Sequence, residues 1–352
     1  MIVIVGAGVI GASIAWHLAS RGVRDILVVD RHDDFGGGST PKATGGFRAQ
    51  FGSEINVRLS LLSRQKLLRF PDEIGVDSGY RQYGYLFLAR SERELEELLR
   101  AQKIQHACGL DEARMVDARE AKEISPGIGD PAVIGGAYCP TDGFIRAMQI
   151  LRGYSEAAKR LGVRFEFGRE VKKLDRDVTY VNAAGAWAAE LSSVPVTQLR
   201  RRVASTVPTD ILPENTPMTI WAGDGFHVRV RDGRVLMLWP DNPPNDDVWL
   251  ENLLRFRDER VPILSEVPID QQHSWSGLYE MSPDKHAIVG RDPQIENLYL
   301  ANGSSGHGVM HAPAIGQLVS ELMIDGRTSI DIAPLRPKRF EEGKPTVGST
   351  LL

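Results

Sequence analysis

Three glycines near the start of the chain, Gly6, Gly8 and Gly11, have the spacing that lets a backbone approach a phosphate group closely. Gly6 permits a tight turn, Gly8 leaves room for a pyrophosphate, and Gly11 lets a following helix pack against a strand. Asp30 follows Gly11 by nineteen positions, where a carboxylate accepts hydrogen bonds from a ribose diol. Together these residues predict a site for a dinucleotide.

The residues around these glycines predict the elements that must position them. Ile2–Val5 is a β-branched run typical of a buried strand, residues 13–22 predict a helix, and the apolar run Ile26–Val29 leads into Asp30. Residues 2–19 contain no charged side chain, but no basic residue precedes them and glycines interrupt them. This pattern favours a strand, turn and helix over a signal peptide or a membrane span.

The kind of dinucleotide depends on Asp30 and on the loop that follows it. A carboxylate at Asp30 would repel a ribose 2′-phosphate, which disfavours NADP. Residues 31–48 are polar and glycine-rich, and they form a passage longer than the ~2–6 residues of an ordinary strand-to-helix connection. Long irregular loops in compact domains are often functional, so this loop is a second candidate for ligand contacts.

Three later stretches share order and spacing with a known family. They are residues 179–188, 275–290 and 298–316, which read TYVNAAGAWA, WSGLYEMSPDKHAIVG and LYLANGSSGHGVMHAPAIG. With the glycine motif and the loop, they make the chain resemble the FAD-dependent amine and amino-acid oxidoreductases of the D-amino-acid oxidase superfamily. It is most similar there to sarcosine oxidases, dimethylglycine oxidoreductases and the catalytic subunit of dye-linked L-proline dehydrogenase. The resemblance extends to about Gly326.

The resemblance implies an α/β fold with two domains. A Rossmann-like FAD-binding domain, discontinuous in sequence, is expected at residues 1–75, 140–192 and 285–335. A substrate domain built on an antiparallel sheet flanked by helices is expected at residues 76–139 and 193–284, with a C-terminal tail at residues 336–352. We also expect one helix to stop at Pro71 and another to begin at about Pro313, because proline disrupts a helix interior.

The implied cofactor is FAD, bound without a covalent link. In sarcosine oxidases a cysteine bonds to the flavin, and the corresponding place here is near Gly277; the covalent histidine of the dimethylglycine type corresponds to Lys42. The residues expected to hold FAD belong to the two glycine clusters, the polar loop and the 179–188 strand region. They are Gly6, Gly8, Val9, Gly11, Asp30, Arg31, Ser39, Thr40, Lys42, Thr44, Gly45, Gly46, Val171, Ala184, Gly185, Trp187, Gly303, Gly306, Gly308, Val309 and Met310.

Arg48 is the residue expected to hold a substrate carboxylate, since related sarcosine oxidases place an arginine at this point. A guanidinium group matches a carboxylate in two-point contact. An arginine bonded to protein carbonyls or to the FAD phosphates is the structural alternative. His307 is expected either to handle a proton or to shape its loop, and Tyr279 stands where glycine oxidases carry an arginine. The residues expected to line the substrate pocket are Phe47, Arg48, Trp239, Tyr279 and Met310.

The activity that the resemblance implies is oxidation of a secondary or primary α-amino acid (sarcosine, proline or glycine-like) to the imine, by hydride transfer to flavin N5. Residues 235–239 contain no lysine, whereas sarcosine oxidases have one in a similar strand that promotes reaction with O2. A flavin dehydrogenase subunit that uses a dye, quinone or partner acceptor is therefore the first alternative. A non-catalytic FAD-binding assembly or structural protein is the second.

The composition of the chain limits which other functions and partners can be expected. The 352 residues carry 42 basic and 46 acidic side chains, a net charge of −4, which favours no nucleic-acid partner. Cys108 and Cys139 are too few for a disulfide framework or a four-thiolate metal site, and they suit a reducing compartment such as the cytoplasm. We expect an amine or amino-acid substrate, O2 or another acceptor, and no metal; a partner subunit or homo-oligomer stays open. A glycine cluster at residues 127–143 has no assigned role.

Overall fold

The computed structural model describes residues 1–346. The helices longer than six residues that begin within this range are α1 (Val9–Ser20), α2 (Glu54–Ile74), α3 (Glu92–Ala107), α4 (Ala118–Ile124), α5 (Ala147–Arg160), α6 (Asp246–Arg260) and α7 (Gly308–Asp325). The strands are β1 (Ile2–Val5), β2 (Ile26–Val29), β3 (Gly46–Phe47), β4 (Tyr85–Ala89), β5 (Arg114–Asp117), β6 (Gly135–Cys139), β7 (Gly143–Phe144), β8 (Arg164–Glu166), β9 (Thr179–Asn182), β10 (Thr197–Ser205), β11 (Met218–Trp221), β12 (His227–Arg231), β13 (Arg234–Leu238), β14 (Trp275–Met281), β15 (Ile288–Arg291) and β16 (Leu298–Asn302).

The first sheet contains the strands predicted at the start of the chain. Its order is β15-β16-β9-β1-β2-β8, and all neighbouring strands are parallel except β15 and β16. Helix α1 packs against both α5 and α7. Gly316 of α7 lies so near α1 that a Cβ there would stand 2.1 Å from Ser13 Oγ. Apolar side chains on both faces of β1 and β2 are buried, as the unbroken apolar runs predict.

The second sheet has the order β14-β10-β13-β12-β11-β4-β6-β5, and only the β4–β11 pair is parallel. Helix α3 contacts β4, β5 and β6, and α4 contacts β5 and β6. A hairpin joins β12 to β13 through Asp232 and Gly233, both with positive φ, as the tight turn of twisted strands requires. The predicted α/β class, with a Rossmann-like sheet and a mainly antiparallel second sheet flanked by helices, is confirmed.

A short two-stranded ladder joins the early loop to the middle of the chain. In it β3 pairs with β7, Gly46 opposite Phe144 and Phe47 opposite Gly143. Gly143 is required at this point, because a Cβ there would lie 1.9 Å from the carbonyl oxygen of Arg81. The ladder holds the residues after Phe47 against the segment that follows the glycine cluster at 127–143.

Both predicted helix limits at proline are wrong. Helix α2 continues past Pro71 to Ile74 and ends at Gly75, whose φ is positive. Pro71 has no N–H for the carbonyl of Leu67, and the hydroxyl of Ser78 donates to that carbonyl instead, at 3.2 Å. Tertiary contacts therefore replace the hydrogen bond whose loss normally ends a helix.

The second misplaced limit concerns α7, which begins at Gly308 rather than near Pro313. The proline lies within the helix, and the next N–H, that of Ala314, donates to Ser63 Oγ of α2 at 3.2 Å. A side chain from a neighbouring helix thus satisfies the backbone next to the proline. As a result, α7 begins within the glycine cluster: Gly303 and Gly306 precede it and Gly308 is its first residue.

Part of the expected C-terminal tail is packed into the fold. Arg339 is fully buried and bonds to both oxygens of Asp284, at 2.8 and 3.0 Å, and to the carbonyls of Leu335 and His286. Residues 347–352 of the expected tail lie outside the described residues. Among residues 1–346, no helix combines the length and apolarity needed to cross a bilayer, and no group of three or more His, Cys, Asp or Glu side chains is arranged to hold a metal ion.

The Arg339–Asp284 pair generates a stability prediction. Arg339→Met should lower the free energy of unfolding by about 3–5 kcal/mol, because it leaves a buried carboxylate without its counter-charge. Urea unfolding of the FAD-loaded protein measures this change. The double variant Arg339→Met/Asp284→Asn is the control and should recover part of the loss; a single-variant loss below about 1 kcal/mol, the range of exposed pairs, would contradict the assignment.

Candidate active site

One large cavity, the main cavity, has a volume of about 530 Å³ and touches both sheets. At one end, the glycine end, it is lined by Gly6, Gly8 and Val9 where β1 passes into α1. At the other, the arginine end, it is lined by Arg48, Tyr85, His227 and Tyr279. The carboxyl ends of parallel strands are where ligands bind in open α/β sheets, and the glycine end has this position.

The glycine end depends on two close approaches. A Cβ on Gly6 would lie 2.3 Å from the carbonyl oxygen of Ala183, and Gly6 has a φ of +110°. A Cβ on Gly11 would lie 1.9 Å from the carbonyl oxygen of Gly6. Larger residues at either position would therefore push α1 away from β1 and β9. Gly8, in contrast, has ordinary extended backbone angles and a surface on the cavity.

The N-terminus of α1 faces this end, and no acidic side chain lies in its first turn. Gly8 is its N-cap, and no side chain caps the helix. One N–H, that of Val9, donates to Thr40 Oγ1 at 3.2 Å. Free backbone donors and the positive end of the helix dipole favour an anionic group such as a diphosphate.

Asp30 lies at the end of β2, beside the glycine turn. Its Oδ2 accepts the N–H of Ala7 at 2.7 Å, and its Oδ1 accepts the N–H of His32 at 2.9 Å. Nδ1 of His32 also donates to Oδ1 at 2.9 Å, whereas Oδ2 has only the N–H of Ala7, so the group holds the turn and Oδ2 still has acceptor capacity for a ribose hydroxyl. These features fit the diphosphate and ribose of FAD.

Nearly all of the expected cofactor and pocket residues line the main cavity. Those that do are Gly6, Gly8, Val9, Asp30, Arg31, Ser39, Thr40, Lys42, Thr44, Gly45, Gly46, Arg48, Val171, Ala184, Gly185, Trp187, Trp239, Tyr279, Gly306, His307, Gly308, Val309 and Met310. Gly11, Gly303 and Phe47 do not. Gly11 packs beneath the turn, and Gly303 packs against Ser282 and Ile288. The Phe47 ring is fully buried against Tyr80, so its expected place in the pocket is wrong.

Arg48 follows β3 and is 4% exposed. Its guanidinium carbon lies 3.9 Å from the centre of the Phe51 ring, Nη1 donates to the carbonyl of Gln50, and Nη2 donates to Nε2 of His307 at 3.3 Å. Burial lowers the pKa of Arg48 to about 10, and nearby Tyr85 and Asp142 oppose that shift. Arg48 is therefore still a cation at neutral pH.

Asp142 was missed at the sequence level, although it controls where Arg48 points. Its side chain is fully buried and accepts the N–H groups of Ala49 and Gln50 at 2.7 and 3.3 Å, and the side-chain amide of Gln50 at 3.2 Å. Burial raises the pKa of Asp142 to about 6, against the effect of these hydrogen bonds. Asp142 lies within the glycine cluster at 127–143, next to its last glycine, so this end of the cluster positions the Arg48 segment.

His307 is the residue before α7 and serves as its N-cap. Burial, and then the charge of Arg48, hold the pKa of His307 well below its usual value, so the ring is neutral at physiological pH. Because Arg48 can only donate, the Nε2 of His307 accepts that hydrogen bond and its proton resides on Nδ1. The loop that ends at His307 therefore contacts Arg48.

Three further cavity residues were missed. Tyr85 on β4 directs its hydroxyl at the early loop, since a Cβ on Gly46 would lie 1.9 Å from that oxygen. His227 on β12 is kept neutral, with its pKa lowered to about 4 first by burial. Glu280 on β14 accepts the N–H of Ser304 at 3.3 Å, and burial raises its pKa to about 7. The sequence signals that could have found them were an acidic residue, Glu280, and an aromatic residue, Tyr85, within runs that predict strands.

Comparison with known proteins agrees with this geometry. The family model described as FAD dependent oxidoreductase matches residues 1–322, and the chain belongs to that family. It is an enzyme of the FAD-dependent oxidoreductase class, and its cofactor is FAD.

Individual relatives cover nearly the whole chain. Glycine oxidase of Geobacillus kaustophilus (strain HTA426) is 27% identical over 95% of this chain and 95% of its own length. Mitochondrial dimethylglycine dehydrogenase of Rattus norvegicus is 26% identical over 96% of this chain, which spans 44% of that protein. The crystal structure of L-proline dehydrogenase from P. horikoshii superposes with a TM-score of 0.89 at 28% identity, covering 98% of both chains.

A methyl group added at Gly8 should have a different effect from one added at Gly11. Gly8→Ala would bring its Cβ only to 3.5 Å from Thr40 Oγ1, so the fold should persist while the methyl occupies cavity surface and weakens FAD binding by about 1–3 kcal/mol. Gly11→Ala should impair folding itself, since its Cβ collides with the Gly6 carbonyl.

Circular dichroism and flavin retention on gel filtration separate the two effects. A Gly8→Ala protein that is folded and binds FAD as tightly as the wild type would contradict the placement of the diphosphate at this turn.

Proposed function

We propose that this enzyme oxidises the amine of a secondary or primary α-amino acid to the imine, with Arg48 holding the substrate carboxylate. The observation that carries the proposal is a buried guanidinium that faces the main cavity and is backed by the Phe51 ring and a neutral His307. A cation withdrawn from water gains most from a charged partner in two-point contact.

Arg48 and its neighbours position the substrate. A carboxylate at Arg48 fixes one end of the amino acid, and Tyr85, Tyr279 and Met310 bound the space beside it. FAD, when bound, supplies the acceptor for the hydride that leaves the carbon next to nitrogen. The amine reacts in its unprotonated form, so orientation and exclusion of water are the main contributions of the protein.

His307 is proposed as a positioning residue rather than a proton acceptor. Its Nε2 lone pair is engaged by Arg48, and its lowered pKa makes it a weak base. Its contact instead ties the Arg48 guanidinium to the N-terminus of α7. This leaves the first helical N–H groups of α7, from Gly308 onward, to face the cavity.

The electron acceptor is proposed to be a dye, quinone or partner protein rather than O2. β13 carries no lysine, and its cavity-lining residue is Leu238, which is followed by Trp239. The similarity to an L-proline dehydrogenase supports the same choice. Lys42 and Lys285 line other parts of the cavity and are the residues to examine if O2 is used.

The proposed binding of FAD is non-covalent. Gly277 and Lys42 face each other closely, since a Cβ on Gly277 would lie 2.7 Å from Lys42 Cβ, and neither is a cysteine or a histidine. The proposed location is the cytoplasm, which suits the free thiols of Cys108 and Cys139.

The decisive experiment is anaerobic titration of the purified, FAD-loaded protein with a panel of amino acids that includes sarcosine, L-proline and glycine. Loss of the oxidised flavin absorbance with at least one of them is the expected result. No bleaching by any amino acid would overturn the proposal.

Arg48 variants test the carboxylate assignment. Arg48→Ala should weaken transition-state binding of amino-acid substrates by about 2–4 kcal/mol, because it removes a buried ionic partner. Arg48→Lys keeps the positive charge but not the two-point geometry of a guanidinium, so it should retain part of this binding free energy. Arg58→Ala is the control, since Arg58 pairs with exposed Glu54 on α2. Equal kcat/KM in the Arg48→Ala and wild-type proteins would show that the carboxylate binds elsewhere.

The acceptor is tested in the same preparation. With its best amino acid, the enzyme should reduce an artificial dye much faster than it consumes O2. Hydrogen peroxide formed at the full rate of substrate turnover would contradict the dehydrogenase assignment and leave amino-acid oxidation intact.

A further inference from the structure

Three consecutive arginines on β10, Arg200, Arg201 and Arg202, point in alternate directions, as neighbours on a strand do. Arg200 and Arg202 both bond to Asp246, at 2.8 and 2.6 Å. Arg201 lies on the opposite face, directly across from Gly277 of β14. Arg200 and Arg202 thus share the carboxylate of Asp246, and the middle arginine is directed to the other face of the strand.

Arg201 lines the main cavity, with its guanidinium carbon 5.9 Å from the centre of the Tyr279 ring. Gly277, across from Arg201, faces the side chain of Lys42, whose Cβ would lie 2.7 Å from a Cβ on Gly277. Within residues 1–346, no carboxylate lies within 4 Å of this guanidinium, and the nearest acid to influence it is Asp241. Burial lowers the pKa of Arg201, as expected for a charge with too little water and no counter-ion.

Arg48 and Arg201 lie on adjacent parts of the cavity wall: a Cβ on Gly306 would lie 2.3 Å from the Tyr279 ring beside Arg201, and the next residue, His307, bonds to Arg48. Both guanidinium groups, after burial, lower the pKa of His227. His227 donates its Nδ1 proton to the carbonyl of Gly225 at 2.8 Å and stays neutral, so it cannot balance either charge. The acid of this region, Glu280, is engaged with the N–H of Ser304. Arg201 is therefore a further cation on the cavity wall beside Arg48, with no carboxylate within 4 Å among residues 1–346.

We propose that Arg201 is a second anion-binding group of the main cavity, and that the preferred substrates are α-amino acids carrying a second carboxylate. The inference rests on the proposed function, because Arg48 takes the first carboxylate. An amino acid with a neutral side chain would leave the partly buried Arg201 without a charged partner. A dicarboxylic amino acid satisfies both arginines and leaves the amine between them.

Matched pairs of amino acids test the second carboxylate. Glutamate against glutamine, aspartate against asparagine, and N-(carboxymethyl)glycine against N-ethylglycine differ in charge at similar size. In anaerobic flavin reduction the wild type should favour the charged member by about tenfold or more, the scale of one charge-assisted contact. Arg201→Gln should remove this preference, because the rate with the charged member falls towards the rate with the neutral member.

Arg200→Gln is the matched control, because Arg200 neighbours Arg201 on the same strand but pairs with Asp246 on the outer face. It should retain the preference for the charged member. FAD content should be the same in both variants and the wild type; loss of FAD from Arg201→Gln would instead assign Arg201 to the cofactor and overturn the inference.

Binding of substrate-like anions gives a readout that needs no turnover. Calorimetric titration of the FAD-loaded protein with succinate and with butyrate should show tighter binding of succinate to the wild type, and equal binding to Arg201→Gln. Equal binding of the two acids to the wild type overturns the inference and leaves the Arg48 assignment standing. Absence of flavin bleaching by every amino acid overturns the proposed function and the substrate claim together, even where succinate binds.

Discussion

The buried carboxylate of Asp142 is the interaction on which the arginine end of the cavity depends. It accepts the N–H groups of Ala49 and Gln50, the two residues after Arg48, and so fixes the direction in which that arginine leaves the backbone. The short ladder between β3 and β7 brings Asp142 to this place. A fully buried acid costs free energy unless it is hydrogen-bonded, and the peptide groups beside Arg48 supply those bonds.

The main cavity attracts negative charge at both ends by different means. At the glycine end, backbone N–H groups and the dipole of α1 do so without any charged side chain in the first turn. At the arginine end, guanidinium groups do so, held by stacking on Phe51 and by a neutral His307. A chain with a net charge of −4 can therefore bind an anionic cofactor and an anionic substrate, since the local field and not the total charge decides.

Local patterns predict the first strand, turn, helix and second strand well, because each of them is specified by residues within a few positions. The unbroken apolar runs reappear as buried parallel strands, and the glycine spacing reappears as a turn with two close backbone approaches. The helix limits predicted at Pro71 and Pro313 were wrong because the groups that keep those helices intact are not local in sequence. The hydroxyls of Ser78 and Ser63 supply the missing backbone partners near Pro71 and Pro313, and neither lies within a helical turn of the proline it serves.

The candidate site divides in the same way. The residues of its glycine end could be predicted almost entirely from the sequence. Most of the residues named from the resemblance line the main cavity. Phe47 illustrates the limit: it neighbours Arg48 in sequence, yet alternation along β3 turns its ring into the core against Tyr80. Tyr85, His227 and Glu280 lie on three strands of the second sheet, and their convergence depends on how the sheet is ordered.

Glycine spacing, apolar periodicity and motif order are properties of neighbouring residues, and they were enough to predict the α/β class, the dinucleotide turn and Arg48 as a candidate ligand group. Which charges are neutralised, in contrast, depends on the folded arrangement of the chain. Arg200, Arg201 and Arg202 are identical in sequence, but Asp246 pairs with Arg200 and Arg202, whereas Arg201 lines the main cavity with no carboxylate within 4 Å among residues 1–346. Ion pairing depends on distances between residues far apart in the chain, and folding alone sets those distances.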